Sequence, residues 1–163
     1  MEKLSALENK RVLIVDDEPD IIDALEEQIE MCLIDKATSY EKGIELLLSY
    51  TYDIVILDIM GVNGFELLKA SVNRGFPTVM LTAHALTPEA LKKSIKLGAV
   101  YFLPKEKIHE MASCLVDVVS GSGKPMWQSV FSKLGTFFDK RFGVNWKEKD
   151  KFFKDFMEEF RNE

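Results

Sequence analysis

Five polar residues of this 163-residue chain could act together on a phosphorylated substrate, although they are far apart in sequence: Asp16, Asp17, Asp58, Thr82 and Lys105. Carboxylates that come within a few ångström of one another repel, so such a cluster is stable only if some protonate or a cation lies among them. Mg²⁺ suits this role because it prefers oxygen ligands and keeps waters that phosphate oxygens can replace. An ammonium and a hydroxyl nearby would bind phosphoryl oxygens. These side chains therefore indicate transfer of a phosphoryl group to a carboxylate.

The residues that precede these polar positions are short apolar runs rich in β-branched side chains, which predicts strands. Four runs are clear, and a fifth is weaker and more polar, as expected at a sheet edge. They are Arg11 to Val15, Asp53 to Leu57, Thr78 to Leu81, Val100 to Leu103 and, more weakly, Leu33 to Ala37. Because their hydrophobicity is continuous rather than alternating, both faces of the sheet should be covered, as in a parallel sheet.

The segments between the runs have the spacing of amphipathic helices. The clearest start is Thr87-Pro88-Glu89, where a hydroxyl cap, a proline and an acidic residue are typical of a helix N-terminus. Another helix is expected from about Lys107 to Val119. The order is five β-α units, which predicts an α/β fold with a doubly wound, five-stranded parallel sheet. Ligands of such sheets bind at the carboxyl ends of the strands, where the five polar residues should converge.

Four strings of residues, each at the end of a predicted strand, resemble the receiver domains of response regulators. They are Val15-Asp16-Asp17-Glu18-Pro19, Leu57-Asp58-Ile59-Met60, Leu81-Thr82-Ala83, and Gly98-Ala99 leading to Lys105. The resemblance covers residues 10 to about 119. It implies a flavodoxin-like sheet with strand order 2-1-3-4-5 and a place in two-component phosphorelay signalling.

The resemblance also implies how the acidic residues are used. Asp58 would be the phosphoacceptor, which takes its phosphoryl group from a sensor histidine kinase, a phosphotransfer protein or a small phosphodonor. Asp17 would bind Mg²⁺ directly and Asp16 through water, and Asp58 and the backbone carbonyl of Met60 would complete the protein's share of the metal site.

Other residues would bind or report the phosphoryl group, again by resemblance. Thr82 and Lys105 would bind its oxygens. Thr82 and Phe102 would act as switch residues, with Tyr101 as the alternative aromatic. Their movement would change the surface formed by the fourth helix and fifth strand, and an unknown output protein would bind there. His84 could lie over the phosphoryl group and with Met60 tune its lifetime, but a plain loop histidine is the favoured interpretation.

Two stretches depart from the family's usual pattern. The loop from Asp58 to Gly64 is two residues shorter than usual and has no proline. The family's Lys-Pro pair, whose peptide bond is typically cis, is replaced by Pro104-Lys105-Glu106. Because a cis bond without proline costs about 3 kcal/mol, we expect the Lys105–Glu106 bond to be trans.

The chain changes composition at residues 121–125, which divides a receiver part, residues 1–120, from a helical extension, residues 126–163. The dividing segment has the small residues of a flexible linker. Beyond it, apolar residues recur at helical spacing in two stretches, which predicts a helical hairpin: Trp127, Phe131, Leu134, Phe138 and Phe142, then Phe152, Phe153, Phe156, Met157 and Phe160. About 40 residues are too few for a secure core. The hairpin should therefore pack on the receiver part, on a second copy of itself or on a partner.

The charge distribution argues against nucleic acid and anionic membranes as partners. The net charge is -6, with 12 basic against 20 acidic residues in positions 1–120 and 9 against 7 in positions 124–163. No apolar run approaches the ~20 residues that span a bilayer. Cys32 and Cys114 lie in apolar surroundings without the spacing of metal ligands. We expect a cytoplasmic protein with buried free thiols. It could form a homodimer through the tail or through the surface formed by the fourth helix and fifth strand.

Two other functions stay open from the sequence. A Mg²⁺-dependent phosphatase of the aspartyl-phosphate type also uses a strand-end aspartate, but its second aspartate normally lies two residues later, where this chain has Met60. A pseudo-receiver that binds partners without phosphorylation is disfavoured by the intact aspartate and lysine set. Beyond phosphorylation and dephosphorylation of itself, no enzymatic activity is expected.

Overall fold

The computed structural model describes residues 2–83 and 86–161, in which strands and helices alternate from the first strand onward. The strands are β1 (Arg11–Val15), β2 (Leu33–Ala37), β3 (Ile54–Asp58), β4 (Thr78–Thr82) and β5 (Tyr101–Pro104). The helices are α1 (Pro19–Gln28), α2 (Tyr40–Ser49), α3 (Gly64–Asn73), α4 (Pro88–Lys96), α5 (Met111–Ser120), α6 (Trp127–Phe142) and α7 (Lys151–Arg161). Two 3₁₀ helices, Glu2–Leu7 and Lys105–Glu110, precede β1 and α5.

The five strands form one sheet in the order β2-β1-β3-β4-β5, and all neighbouring pairs are parallel. The predicted fold and strand order are confirmed. Every residue of β3, β4 and β5 is buried, as the continuous apolar runs indicated. The register places Asp58 beside Leu81 and Thr82 beside Pro104, so the carboxyl ends of these strands share one edge of the sheet.

Strands β3 and β4 each extend one residue further than the sequence predicted. Asp58 is the last residue of β3 rather than the first residue beyond it, and Thr82 ends β4. The ladder continues past Asp58, because the Ile59 N–H donates to the Leu81 carbonyl at 3.1 Å. The backbone on both sides of Asp58 is therefore held by the sheet.

The expected helix start near Lys107 is wrong. Residues 105–110 form a 3₁₀ helix in which Lys107 departs from helical angles, and α5 begins only at Met111. The side chain of Gln28 explains the interruption, since its amide donates to the Ile108 carbonyl at 2.7 Å and accepts the Ala112 N–H at 3.2 Å. Those two backbone groups would pair with each other in a continuous α-helix.

Two smaller predictions from the sequence are confirmed. Helix α4 begins at its proline, and the hydroxyl of Thr87 accepts the Ala90 N–H at 3.0 Å as an N-cap. Cys32 and Cys114 are buried free thiols. None of the helices within residues 2–83 and 86–161 is long and apolar enough to cross a membrane.

The two predicted helices of the extension are present, and they pack on the receiver part of the same chain. Phe131 of α6 contacts Phe153, Phe156 and Phe160, so the two helices pack against each other through their aromatic side chains. The rings of Phe138 and Phe102 meet with centroids 6.1 Å apart, which joins α6 to β5. The structure therefore shows the hairpin packed on the receiver part, which is one of the three arrangements expected from the sequence.

The segment expected to be a flexible linker forms consecutive hydrogen-bonded turns instead. The N–H groups of Ser122 and Gly123 donate to carbonyls at the end of α5, each at 3.0 Å. Gly123 has a φ of +74°, and a Cβ there would lie 2.6 Å from Cγ of Pro77. The glycine is needed because the turn lies directly against the receiver part, which fixes where α6 starts.

Candidate functional site

Three acidic residues lie in the turn after β1, at the carboxyl edge of the sheet. Asp16 is fully buried, and its backbone N–H donates to the Ala37 carbonyl at 3.1 Å, which fixes it at the strand end. Its Oδ1 accepts the Glu18 N–H at 2.8 Å. Asp16, Asp17 and Glu18 each have one carboxylate oxygen within 4.8 Å of the others. The turn therefore gathers three negative charges in a small volume.

The ammonium of Lys105 connects this acidic group to the end of β3. Its Nζ lies 3.0 Å from Asp16 Oδ2, 3.0 Å from Glu18 Oε1 and 3.4 Å from Asp58 Oδ1. Asp58 is 4% exposed, and the side chain of Lys105 is 7% exposed. The described residues contain no cis peptide bond, so the expectation for the Lys105–Glu106 bond is confirmed. Residues at the carboxyl ends of three different strands thus meet at one point.

Burial and like charge disfavour ionisation of both aspartates. The pKa of Asp58 rises from the ordinary 3.8 to about 7, because burial disfavours its charged form and the Asp16 carboxylate lies nearby, although Lys105 opposes the rise. Burial also raises the pKa of Asp16, against the hydrogen bond from the Glu18 N–H. Burial acts to lower the pKa of Lys105, but the nearby negative carboxylates of Asp16 and Glu18 outweigh this and the pKa is raised. One ammonium does not balance this concentration of negative charge.

The donor set fits a hard divalent cation. Asp16 Oδ2 is buried and has no hydrogen-bond partner among the described residues, because its contact with Lys105 is an ion pair without hydrogen-bond geometry. A metal ion or its bound water would satisfy this oxygen, and the exposed Asp17 offers a second carboxylate at the same place. Oxygen ligands of this kind suit Mg²⁺.

Two glycines allow the short loop after β3 to pass close to the acidic residues. Gly61 has a φ of +82°, and a Cβ there would overlap the carboxylate of Asp17, with Cγ 2.5 Å away. A Cβ on Gly64 would overlap the backbone carbonyl group of Asp58, because it would lie 2.8 Å from the carbonyl carbon. Sequence reasoning had found no role for these glycines. Their position in a loop that is short for the family was the available signal of a close backbone approach.

Glu18 is the second feature that sequence reasoning missed. It was noted only as part of a string of residues, yet it supplies one of the two shortest contacts of the Lys105 ammonium. Its position directly after the aspartate pair was the signal. Because its side chain is about half exposed, Glu18 can exchange Lys105 for water at little cost.

The remaining predicted residues differ in burial, and their roles stay predictions. Thr82 is 1% exposed at the end of β4, and Met60 is 54% exposed two residues beyond Asp58. Phe102 is fully buried, and its ring contacts Phe138 of α6. Tyr101 is also buried, near Ser129 of α6. His84 lies outside the described residues.

Comparison with known proteins gives the family. Residues 12–115 match the family described as the response regulator receiver domain, which is more than half of the chain. The two-component response regulator ARR18 of Arabidopsis thaliana is 35% identical over 101 residues, which cover 58% of this chain and 16% of that protein. The transcriptional regulatory protein CusR of Escherichia coli strain K12 is 35% identical over 101 residues, which cover 58% of this chain and 44% of that protein. The chain therefore spans less than half the length of these curated relatives.

Solved structures show the same fold. A CheY-like response regulator receiver domain protein from Methanospirillum hungatei JF-1 has a TM-score of 0.59 and 22% identity, covering 70% of this chain and 98% of that one. The receiver domain of Francisella response regulator 1452 has a TM-score of 0.62 and 24% identity, covering 71% of this chain and 100% of that one. The chain belongs to the response regulator receiver domain family of two-component systems. It carries two C-terminal helices, α6 and α7, beyond the matched residues.

Proposed function

We propose that this receiver accepts a phosphoryl group on Asp58 in a Mg²⁺-dependent reaction, from a sensor histidine kinase or a phosphotransfer protein, and signals through contacts with other protein surfaces. One observation carries the proposal. Asp16, Asp58 and Lys105 meet at the carboxyl edge of a receiver sheet, with Lys105 Nζ 3.0 Å and 3.4 Å from the two aspartates. This arrangement provides a nucleophilic oxygen, an oxygen for a metal ion and a cation for the incoming group.

In the proposed reaction, a carboxylate oxygen of Asp58 attacks phosphorus, a new oxygen–phosphorus bond forms, and the bond to the leaving group breaks with its electron pair. Mg²⁺, held by Asp16, Asp17, Asp58 and the Met60 carbonyl, would supply positive charge that favours the ionised nucleophile and the transferring oxygens. Lys105 reaches the same point from β5 and would bind a phosphoryl oxygen. Thr82, at the end of the adjacent strand β4, would offer its hydroxyl to another.

The test uses the full chain with acetyl phosphate and Mg²⁺, followed by intact mass measurement. We expect one added phosphoryl group, lost when the metal is chelated and lost in Asp58→Asn. Asp53→Asn is the matched control, because Asp53 is an exposed aspartate directly before the same strand, at its opposite end. Uptake by Asp58→Asn equal to that of the unmodified sequence, or no uptake by either protein, would contradict the proposal.

A second variant tests the role of Lys105 in binding the phosphoryl oxygens separately from the role of Asp58 as the acceptor. Lys105→Gln should still bind Mg²⁺ but should take up the phosphoryl group at least about 10-fold more slowly, because it removes a charge that stabilises the transferring group. Steady release of phosphate from a phosphomonoester would instead favour the phosphatase alternative. Partner binding that does not respond to Asp58 substitution would favour a pseudo-receiver.

A further inference from the structure

We propose that the C-terminal helices α6 and α7 are an internal ligand for the surface formed by α4, β5 and α5, and that phosphorylation of Asp58 weakens their docking through residues 102–106. The inference rests on the proposed function, because it requires Asp58 to be the phosphoacceptor. We call residues 102–106 the shared segment, since it contacts both the acidic site and α6.

The docked helices are held across a charged interface. The receiver part is net negative and the extension is net positive. Three ion pairs connect them, one from each of three elements of the receiver part: Lys92 of α4 with Asp150, Asp117 of α5 with Lys133, and Glu106 of the 3₁₀ helix with Arg141. The ammonium groups of Lys92 and Lys96 also lie 5.8 Å and 5.2 Å from the ring centroid of Phe152. The helices therefore match this particular surface in charge.

The start of α6 is also hydrogen-bonded to the two residues directly before β5. The indole N–H of Trp127 donates to the Ala99 carbonyl at 3.1 Å, and the Met126 N–H donates to the Val100 carbonyl at 2.8 Å. Trp127 is 5% exposed. The surface next to β5 is thus already occupied by the chain itself, and another protein can reach it only if α6 moves.

The shared segment transmits a change at the site because its residues contact opposite sides. Lys105 points its ammonium to Asp58, while Glu106, the next residue, pairs with Arg141 of α6. Three residues before Lys105, the ring of Phe102 contacts Phe138, which lies one helical turn before Arg141 on α6. A movement of Lys105 therefore disturbs two contacts of α6 at once.

Phosphorylation changes the charge that Lys105 meets. A phosphoryl group brings about 1.5–2 negative charges, more than the carboxylate that it replaces. The ammonium, now shared among Asp16, Glu18 and Asp58, is drawn toward the new oxygens, and the backbone of the shared segment follows. The contacts to Phe138 and Arg141 belong to the unphosphorylated arrangement, so they weaken. By linkage, the docked helices must weaken binding of a phosphoryl analogue by the same factor.

The two tryptophans allow a direct measurement. Both lie in the extension, Trp127 at the interface with β5 and Trp146 within the aromatic cluster of α6 and α7, 4.8 Å from the Phe153 centroid. In full-length Trp146→Phe, the remaining Trp127 reports docking. In full-length Trp127→Phe, the remaining Trp146 reports the internal packing of the extension. On addition of Mg²⁺ and beryllium fluoride, a phosphoryl analogue, we expect a red shift and stronger acrylamide quenching for Trp127 and a smaller change for Trp146.

The reciprocal measurement uses a charge variant with a matched control. Arg141→Gln removes the pair with Glu106, and Lys140→Gln removes the same charge from the exposed neighbouring position. Arg141→Gln should bind beryllium fluoride about 2- to 10-fold more tightly, the range for losing one weak interface contact, and Lys140→Gln should bind it as the unmodified sequence does. An unchanged or blue-shifted Trp127 emission in protein that acetyl phosphate does phosphorylate overturns the inference and leaves the proposed function intact. Failure to take up either group overturns both.

Discussion

Replacing Asp58 by asparagine should stabilise the metal-free protein. The carboxylate is 4% exposed and lies beside Asp16, which raises its pKa from 3.8 to about 7. At a pH above both values, a rise of this size corresponds to about 4 kcal/mol of unfavourable interaction in the folded state. Water and counter-ions that reach this edge of the sheet reduce the effect, so we expect a gain of about 1–3 kcal/mol in the free energy of unfolding near pH 8.

The raised pKa of Asp58 also predicts how the gain in the free energy of unfolding depends on pH. Because the folded pKa of Asp58 lies above the unfolded value, the folded state binds the proton more tightly, and stability is lost as pH rises from about 4 to about 7. Asparagine removes this loss, so the gain should be larger near pH 8 than near pH 5. Urea unfolding with a chelator present measures it at both pH values.

A control variant and the addition of Mg²⁺ test whether the gain in stability comes from removing charge repulsion at Asp58. Asp23→Asn removes an exposed carboxylate from α1 and should change stability by no more than about 0.5 kcal/mol. Mg²⁺ should stabilise the unmodified sequence more than Asp58→Asn, because the variant has lost both a ligand and the repulsion that the ion relieves. An asparagine variant that is less stable than the unmodified sequence at both pH values would refute the proposed charge repulsion between Asp58 and Asp16.

Two further predictions concern single positions. Gly61→Ala should weaken Mg²⁺ binding at least about 10-fold in calorimetry, because its methyl group displaces the Asp17 carboxylate. Gly75→Ala shares the positive φ, +80° against +82°, but meets nothing within 4 Å, so it should cost stability without changing metal affinity, and equal losses of affinity would reject the steric explanation. Thr78→Val should cost about 1–3 kcal/mol in urea unfolding, since it removes the 2.7 Å hydrogen bond to the buried Ser71, and phosphoryl uptake should stay unchanged.

The fold and the central residues of the site could be predicted because they depend on patterns that are local in sequence. Five β-branched runs gave the parallel sheet, and the rule that its ligands bind at the carboxyl ends of strands placed Asp16, Asp58 and Lys105 at one edge. Strand ends were off by one residue at Asp58 and Thr82, because the ladder continues through polar residues that have no apolar signal of their own.

What could not be predicted depends on contacts between distant parts of the chain. The 3₁₀ helix before α5 exists because Gln28, about 80 residues earlier, takes the hydrogen bonds of Ile108 and Ala112. Phe102 packs against Phe138, which no local pattern connects to β5. The steric role of Gly61 appears only when the Asp17 carboxylate is placed against it.

The position of α6 beside β5 also limits how copies of this protein can join sheet to sheet. Pro104 has no N–H to offer another chain, and the carbonyls of Ala99 and Val100 are already bonded to the start of α6. Within the described residues, the outer margin of β2 is left, where Leu33 is 54% exposed. Association by strand addition would therefore use the outer margin of β2 more readily than that of β5, where α6 would have to move first.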